Sequence, residues 1–183
     1  PKPPPIVTVS GNTMGTTYSV KVVGANVDRD KLQNAVQMTV DRINQLMSNY
    51  KDDSELSLLN RSALDTRFPV SNETREVLAL SAQIHALSDG AFDISLGPVV
   101  ELWGFGPTPT DLRVPPTEVI TEALSQTGTD GLVLGDVYVQ RTRDISLDLS
   151  AIAKGYAVDQ VAQMLDSEGY KDYLVEIGGE LKG

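Results

Sequence analysis

Between Asp28 and Ser48 the apolar residues Leu32, Val36, Val40, Ile43 and Met47 recur at helical spacing among polar neighbours. That stripe predicts one long amphipathic helix, which must lay its apolar face on another layer of structure. Before it, residues 6–9 and 17–23 alternate as two short strands, joined through a polar turn from Gly11 to Thr16 that contains two glycines. After it, a second helix is expected from Ser71 as N-cap, with Val77, Leu80, Ile84 and Leu87 on its buried side and an end before Gly90. A short third helix follows Pro115, Pro116 and Thr117 and ends at Gly128. Residues 131–134, 137–141 and 145–149 are strand candidates, the first two joined by a tight turn at Gly135-Asp136. A helix over 151–167 closes at Gly169, and residues 173–177 form a further apolar strand. Hairpins outnumber crossovers, so the fold class is α+β or α/β with an antiparallel component.

The chain has 183 residues, 40% of them hydrophobic, enough for one domain with a core or for most of a larger one. No apolar run approaches the length of a membrane span. The formal net charge of -10 argues against nucleic acid, whose phosphates require a basic face. A phosphate-bearing ligand would have to be held by backbone amides, a few placed cations or a divalent metal. The absence of cysteine excludes disulfides, thiolate metal sites and a cysteine nucleophile. The single histidine, His85, disfavours a two-histidine metal site and sits on the second helix among apolar neighbours, where a structural role is expected. Pro1-Lys2-Pro3-Pro4-Pro5 is a stiff non-helical spacer, either a tether or a domain edge. Gly178 to Gly183 resembles a turn into something further, so the chain is expected to stop in mid-fold.

Three segments carry candidate chemistry. In the first, residues 145–149 run directly into a helix, with Asp148 and Ser150 at the junction and Lys154 in the first turn. Free amides at a helix start attract phosphate, and a lysine there can reach the same anion. Equally, Ser150 is an ordinary N-cap and Asp148 an acid favoured by the helix dipole. The second, residues 87–107, packs Gly90, Gly97, Gly104 and Gly106, two prolines and Trp103 together, which suits a loop around a flat ligand. The plainer reading is a glycine-rich surface loop with Trp103 as a core anchor and Asp93 in an Asx-turn. The third ends the long helix in a polar segment with Tyr50, which is either a stacking partner for a planar ring or a boundary aromatic.

Six stretches taken together resemble the FAD:protein FMN transferase family, known as ApbE. They are Thr13-Met14-Gly15-Thr16-Thr17-Tyr18; Met47-Ser48-Asn49-Tyr50 with Ser54-Glu55-Leu56-Ser57; and Asp89-Gly90-Ala91-Phe92-Asp93. Then come Gly97-Pro98 to Leu102-Trp103-Gly104-Phe105-Gly106; Leu147 to Ala157; and Tyr173-Leu174-Val175 with Gly178-Gly179. The resemblance implies a T-fold-like mixed sheet with packed helices, in which residues 1–5 are a tether and 6–183 an incomplete FAD-binding domain. It implies that Met14, Tyr50, Ala91, Phe92, Asp93, Asp148, Lys154, Gly178 and Gly179 contact FAD, with Lys154 also assisting catalysis. The backbone carbonyl of Ala151 would give one ligand to Mg²⁺. The implied reaction is Mg²⁺-dependent transfer of FMN from FAD to a Ser or Thr hydroxyl, with release of AMP. Implied partners are flavoprotein subunits of membrane redox complexes, and the implied location is periplasmic or extracytoplasmic, as a lipid-anchored protein. The family continues past the double glycine with a His-x-Ile-Asp-Pro motif and further metal ligands, which this sequence does not contain. Two other outcomes remain open at this level: an FAD pyrophosphatase giving FMN and AMP, and a non-catalytic flavin-binding protein.

Overall fold

The computed structural model describes residues 3–108 and 114–183, so Pro1 and Lys2 of the proline-rich start lie outside the described residues. In chain order the first elements are β1 (Ile6–Thr13), β2 (Thr16–Val23), α1 (Arg29–Met47), α2 (Glu55–Asn60), β3 (Phe68–Pro69) and α3 (Asn72–Leu87). Then follow α4 (Gly97–Leu102), α5 (Thr117–Ser125), β4 (Leu132–Leu134), β5 (Tyr138–Arg141), α6 (Ala153–Ser167), β6 (Tyr173–Ile177) and β7 (Glu180–Lys182). The chain divides into two compact units. One comprises the residues up to Asn44 together with Ile152–Gly183, and the other is Gln45–Ala151.

The first unit is built on a sheet of order β1-β2-β6-β7, antiparallel at every pairing. Alternation puts Val9, Tyr18, Val20, Val22, Val175 and Ile177 on one buried face. Helix α6 packs on β6 and β7 and buries Tyr156, Ala157, Val161 and Leu165. It closes as expected at Gly169, whose φ of 85° lets the chain turn back, with the Tyr170 amide donating to the Leu165 carbonyl. The α1 stripe Leu32, Val36, Val40 and Ile43 is buried, as the periodicity predicts. Its polar edge is tied to the sheet: Gln33 Nε2 donates to the Ser10 carbonyl at 3.2 Å, and the Tyr18 hydroxyl donates to Gln37 Oε1 at 2.8 Å. A Cβ on Gly11 would stand 2.7 Å from the Tyr18 ring, so glycine is what lets that ring lie across β1. Burial pushes the Tyr18 phenol above its ordinary value, although the hydrogen bond from Gln33 pulls it the other way.

The second unit holds a small sheet of order β3-β5-β4, also antiparallel, with α2, α3, α4 and α5 around it. Antiparallel sheets in both units make the class α+β. Several expectations change here. The buried face of α3 is Thr74, Val77, Leu78 and Ser81, while Leu80 is exposed and Leu87 is 86% exposed. The face rotates because Thr74 and Ser81 can be buried with their hydroxyls satisfied locally, Ser81 by the Val77 carbonyl and Thr74 by Ser71. Ser71 does cap α3, and Glu55 accepts from both its amide and its hydroxyl. The β4–β5 hairpin forms with Asp136 and Val137 at its tip, one residue later than expected, since the Gly135 amide bonds the Tyr138 carbonyl.

Residues 145–149 are extended without joining a ladder and share one parallel bridge, Leu96 to Ser146. Side chains, together with the backbone of Ile94 and Gly97, take the place of a strand partner. Asn60 accepts from the Leu147 amide at 2.8 Å and donates to its carbonyl at 2.9 Å, while Arg141 Nη1 donates to the Ile145 carbonyl at 2.6 Å. Leu147, Leu149 and Ile145 are buried by this arrangement.

Candidate functional site

In the first unit two tight turns lie side by side at one end of the sheet. Thr13 pairs with Thr16, leaving Met14 and Gly15 as a two-residue turn with φ of 50° and 72°. That is the twist-matched hairpin turn, which requires both central residues at positive φ and disfavours a residue such as methionine there. The six-residue polar turn expected from the sequence is thus only these two residues, because β1 and β2 run on to meet it. Across β6 and β7, Ile177 pairs with Glu180 around Gly178 and Gly179, with φ of 56° and 102°. The Gly178 amide donates to the Thr17 carbonyl, which locks the two turns together.

The period-two register decides what this end presents inward. Thr13 follows Val9 on the buried face of β1, Thr16 precedes Tyr18, and Glu180 stands opposite Ile177. The apolar rows of the sheet therefore end in Thr13, Thr16 and Glu180. Lys154, second residue of α6, enters the same place, with Nζ 3.0 Å from Glu180 Oε1. A Cβ on Gly178 would lie 2.8 Å from Thr16 Cγ2 and 3.3 Å from Lys154 Cδ, so this glycine clears the space that the lysine stem occupies. Two polar atoms in the cluster are buried without a hydrogen-bond partner: Thr13 Oγ1, on a residue 7% exposed, and Glu180 Oε2. Beside them, residues 12–17 line a cleft.

In the second unit, Asp148 is 8% exposed and both its oxygens are engaged. Asn49 Nδ2 donates to Oδ2 at 2.5 Å and the Ser150 amide to Oδ1 at 2.7 Å, while the Asp148 amide donates to the Ile94 carbonyl. Ser150 is not a helix cap: α6 begins at Ala153 and has no side-chain cap bond. Its amide is held by Asp148 instead.

Asp93 adopts the Asx-turn, accepting from the Ser95 amide at 2.7 Å and from its hydroxyl at 2.6 Å. His85 has the structural role expected of it. Its Nδ1 lies 2.8 Å from the Phe92 carbonyl and must carry the proton there, since a carbonyl only accepts. That bond fixes the turn through Asp89 and Gly90, at φ of 49° and 82°, that leads into Ala91 and Phe92. Trp103 is not a core anchor: it is 40% exposed, on the C-terminal cap of α4. The glycine-rich stretch is therefore partly helical, and a Cβ on Gly97 would lie 2.6 Å from the Ser146 carbonyl, which explains the glycine by backbone packing. Tyr50 is exposed, and its hydroxyl donates to the Phe105 carbonyl at 2.7 Å.

Sequence reasoning missed Asn49, Asn60, Thr13 and Glu180. The first two act through long-range contacts that no local pattern carries. The last two were within reach: each flanks a two-residue turn, and strand alternation fixes which face it takes.

A Mg²⁺ ion does not fit the described residues by themselves. Among them no group of three or more His, Asp or Glu side chains could hold a metal, and one carbonyl from Ala151 falls far short of an oxygen cage.

Fold and geometry together define a class: an α+β protein with a lysine at a helix start beside two glycine-bearing turns, suited to an anionic ligand lying against backbone. The ApbE family model matches residues 14–183, and the chain belongs to the ApbE family. The FAD:protein FMN transferase of Vibrio cholerae serotype O1 is 39% identical over 99% of this chain and 55% of its own length. That of Escherichia coli K12 is 36% identical over 96% of this chain and 52% of its own. This chain thus spans about half the length of the curated relatives it matches. Among solved structures, the flavin transferase ApbE from Vibrio cholerae superposes with a TM-score of 0.95 at 38% identity, covering 98% of this chain and 59% of that one. The ApbE protein of Thermotoga maritima gives 0.87 at 29% identity, covering 97% and 58%.

Proposed function

We propose that this chain binds FAD and serves the transfer of its FMN part to a Ser or Thr hydroxyl of a target flavoprotein. The observation that carries the reading is its likeness, along nearly the whole chain, to the flavin transferase of Vibrio cholerae. In the reaction the acceptor oxygen bonds to the FMN phosphorus, the pyrophosphate P–O bond breaks, AMP leaves with the electron pair, and the hydroxyl proton is released.

In the first unit Met14, Gly178 and Gly179 would let backbone approach FAD closely, and Lys154 would supply positive charge to the pyrophosphate. In the second, Tyr50 would offer its exposed ring, and Ala91, Phe92 and Asp93 would contact the dinucleotide from a turn fixed by His85. Asp148 would accept a ligand donor through lone pairs that Asn49 and Ser150 leave over, since a carboxylate has about four such sites. Mg²⁺ enters through the resemblance alone, with the Ala151 carbonyl as the one group this chain would contribute. Flavoprotein subunits of membrane redox complexes as acceptors, and a lipid-anchored extracytoplasmic setting, rest on the resemblance alone.

The test is intact mass spectrometry of a peptide with a Ser/Thr-Gly-Ala-Ser/Thr acceptor motif after incubation with this chain, FAD and Mg²⁺. The Vibrio cholerae relative serves as control. A gain of one FMN by the peptide supports the reading. An adduct with the control, while this chain neither forms one nor binds FAD, contradicts it. Free FMN and AMP without adduct would make the chain a pyrophosphatase.

A further inference from the structure

Glu180 is the residue at the turn end whose position the fold specifies most closely and whose purpose packing does not explain. Its register opposite Ile177 puts it on the inner face of the edge strand β7, the face that also carries Lys182 opposite Val175. Its side chain is 40% exposed, so the carboxylate sits half-buried at the sheet edge and is only partly compensated. One oxygen meets Lys154, while the other is buried with no partner. The pair is also built from both sides. Gly178 has the open backbone conformation and the missing Cβ that let the lysine stem pass, and the turn it forms brings Glu180 back against α6.

We infer that Glu180 is a positioning residue for Lys154, holding the ammonium at the turn end of the sheet where a pyrophosphate would meet it. The inference rests on the reading of the chain as an FAD-binding protein and extends it to a residue outside the contact set given above. A lysine on a flexible four-carbon stem at the surface of a chain with net charge -10 has many acidic partners available. A fixed carboxylate selects one place for it.

The test uses this chain and its variants Glu180→Gln, Glu180→Asp, Lys154→Ala and the double variant Glu180→Gln/Lys154→Ala. Two readouts are taken on each: FAD affinity by flavin fluorescence, and acylation of the Lys154 amine by mass spectrometry where that lysine is present. Melting temperature is followed throughout. Glu180→Gln is expected to speed acylation of Lys154 severalfold and to weaken FAD binding about tenfold at an unchanged melting temperature. Glu180→Asp should recover part of both, which a merely structural role would not produce, and the double variant should bind no worse than Lys154→Ala. Unchanged acylation in Glu180→Gln overturns the inference, and so does FAD affinity equal to or tighter than that of the unaltered chain. A chain that binds no FAD, yet shows the acylation change, would keep the coupling of Glu180 to Lys154 and lose the FAD reading.

Discussion

Asp148 in the second unit is a buried carboxylate and Glu180 in the first a half-buried one, and their surroundings differ in kind. Asp148 receives a side-chain amide on one oxygen and a backbone amide on the other, and its own amide is bonded to Ile94. Glu180 receives a lysine on one oxygen and nothing on the other. A carboxylate bonded at both oxygens organises the chain around it, and removing it leaves donors stranded. A half-satisfied one is held in place at a cost that a ligand can relieve. The difference separates a carboxylate fixed by amide donors of its own chain from one held by a single lysine.

The comparison breaks most readily at Asp148. Asp148→Asn would set an amide donor against the Asn49 donor, and a loss of about 2–3 kcal/mol of stability is expected by urea denaturation. An unchanged midpoint would mean that the Asn49 contact carries no weight. At Thr13 the opposite sign is expected. Thr13→Val keeps the shape and deletes a buried hydroxyl without a partner, so the chain should gain about 1 kcal/mol while FAD binding weakens several-fold. A loss of stability would show that the hydroxyl already has a partner. The smallest effect is predicted at the turn. Met14→Asn should add about 0.5 kcal/mol, because asparagine tolerates the positive φ that methionine resists. If FAD affinity falls at the same time, the strained methionine is retained for the ligand.

Much of this arrangement was legible in the chain itself. The stripe from Leu32 to Ile43, the Ser71 cap, the closure at Gly169 and the strand at Tyr173–Ile177 all follow from period and punctuation. Such local rules fail where distant groups substitute for a ladder. Residues 145–149 alternate like a strand, but their backbone is satisfied by the distant Asn60 side chain, by the nearby Arg141 and by the backbone of Ile94 and Gly97. They fail again at Thr74 and Ser81, polar residues that enter a buried helix face because their hydroxyls bond within the turn. At the site, Lys154 and the double glycine were visible because a helix start and a tight turn have their own signatures. The partnership of Lys154 with Glu180 was not, since it depends on β7 folding back on β6.

Hydrogen exchange with and without FAD tests whether this chain takes FAD at the turn end of the first unit. Slowed amide exchange in residues 13–17 and 177–180 on adding FAD is the predicted result. Bound FAD with exchange in both turns unchanged would contradict it.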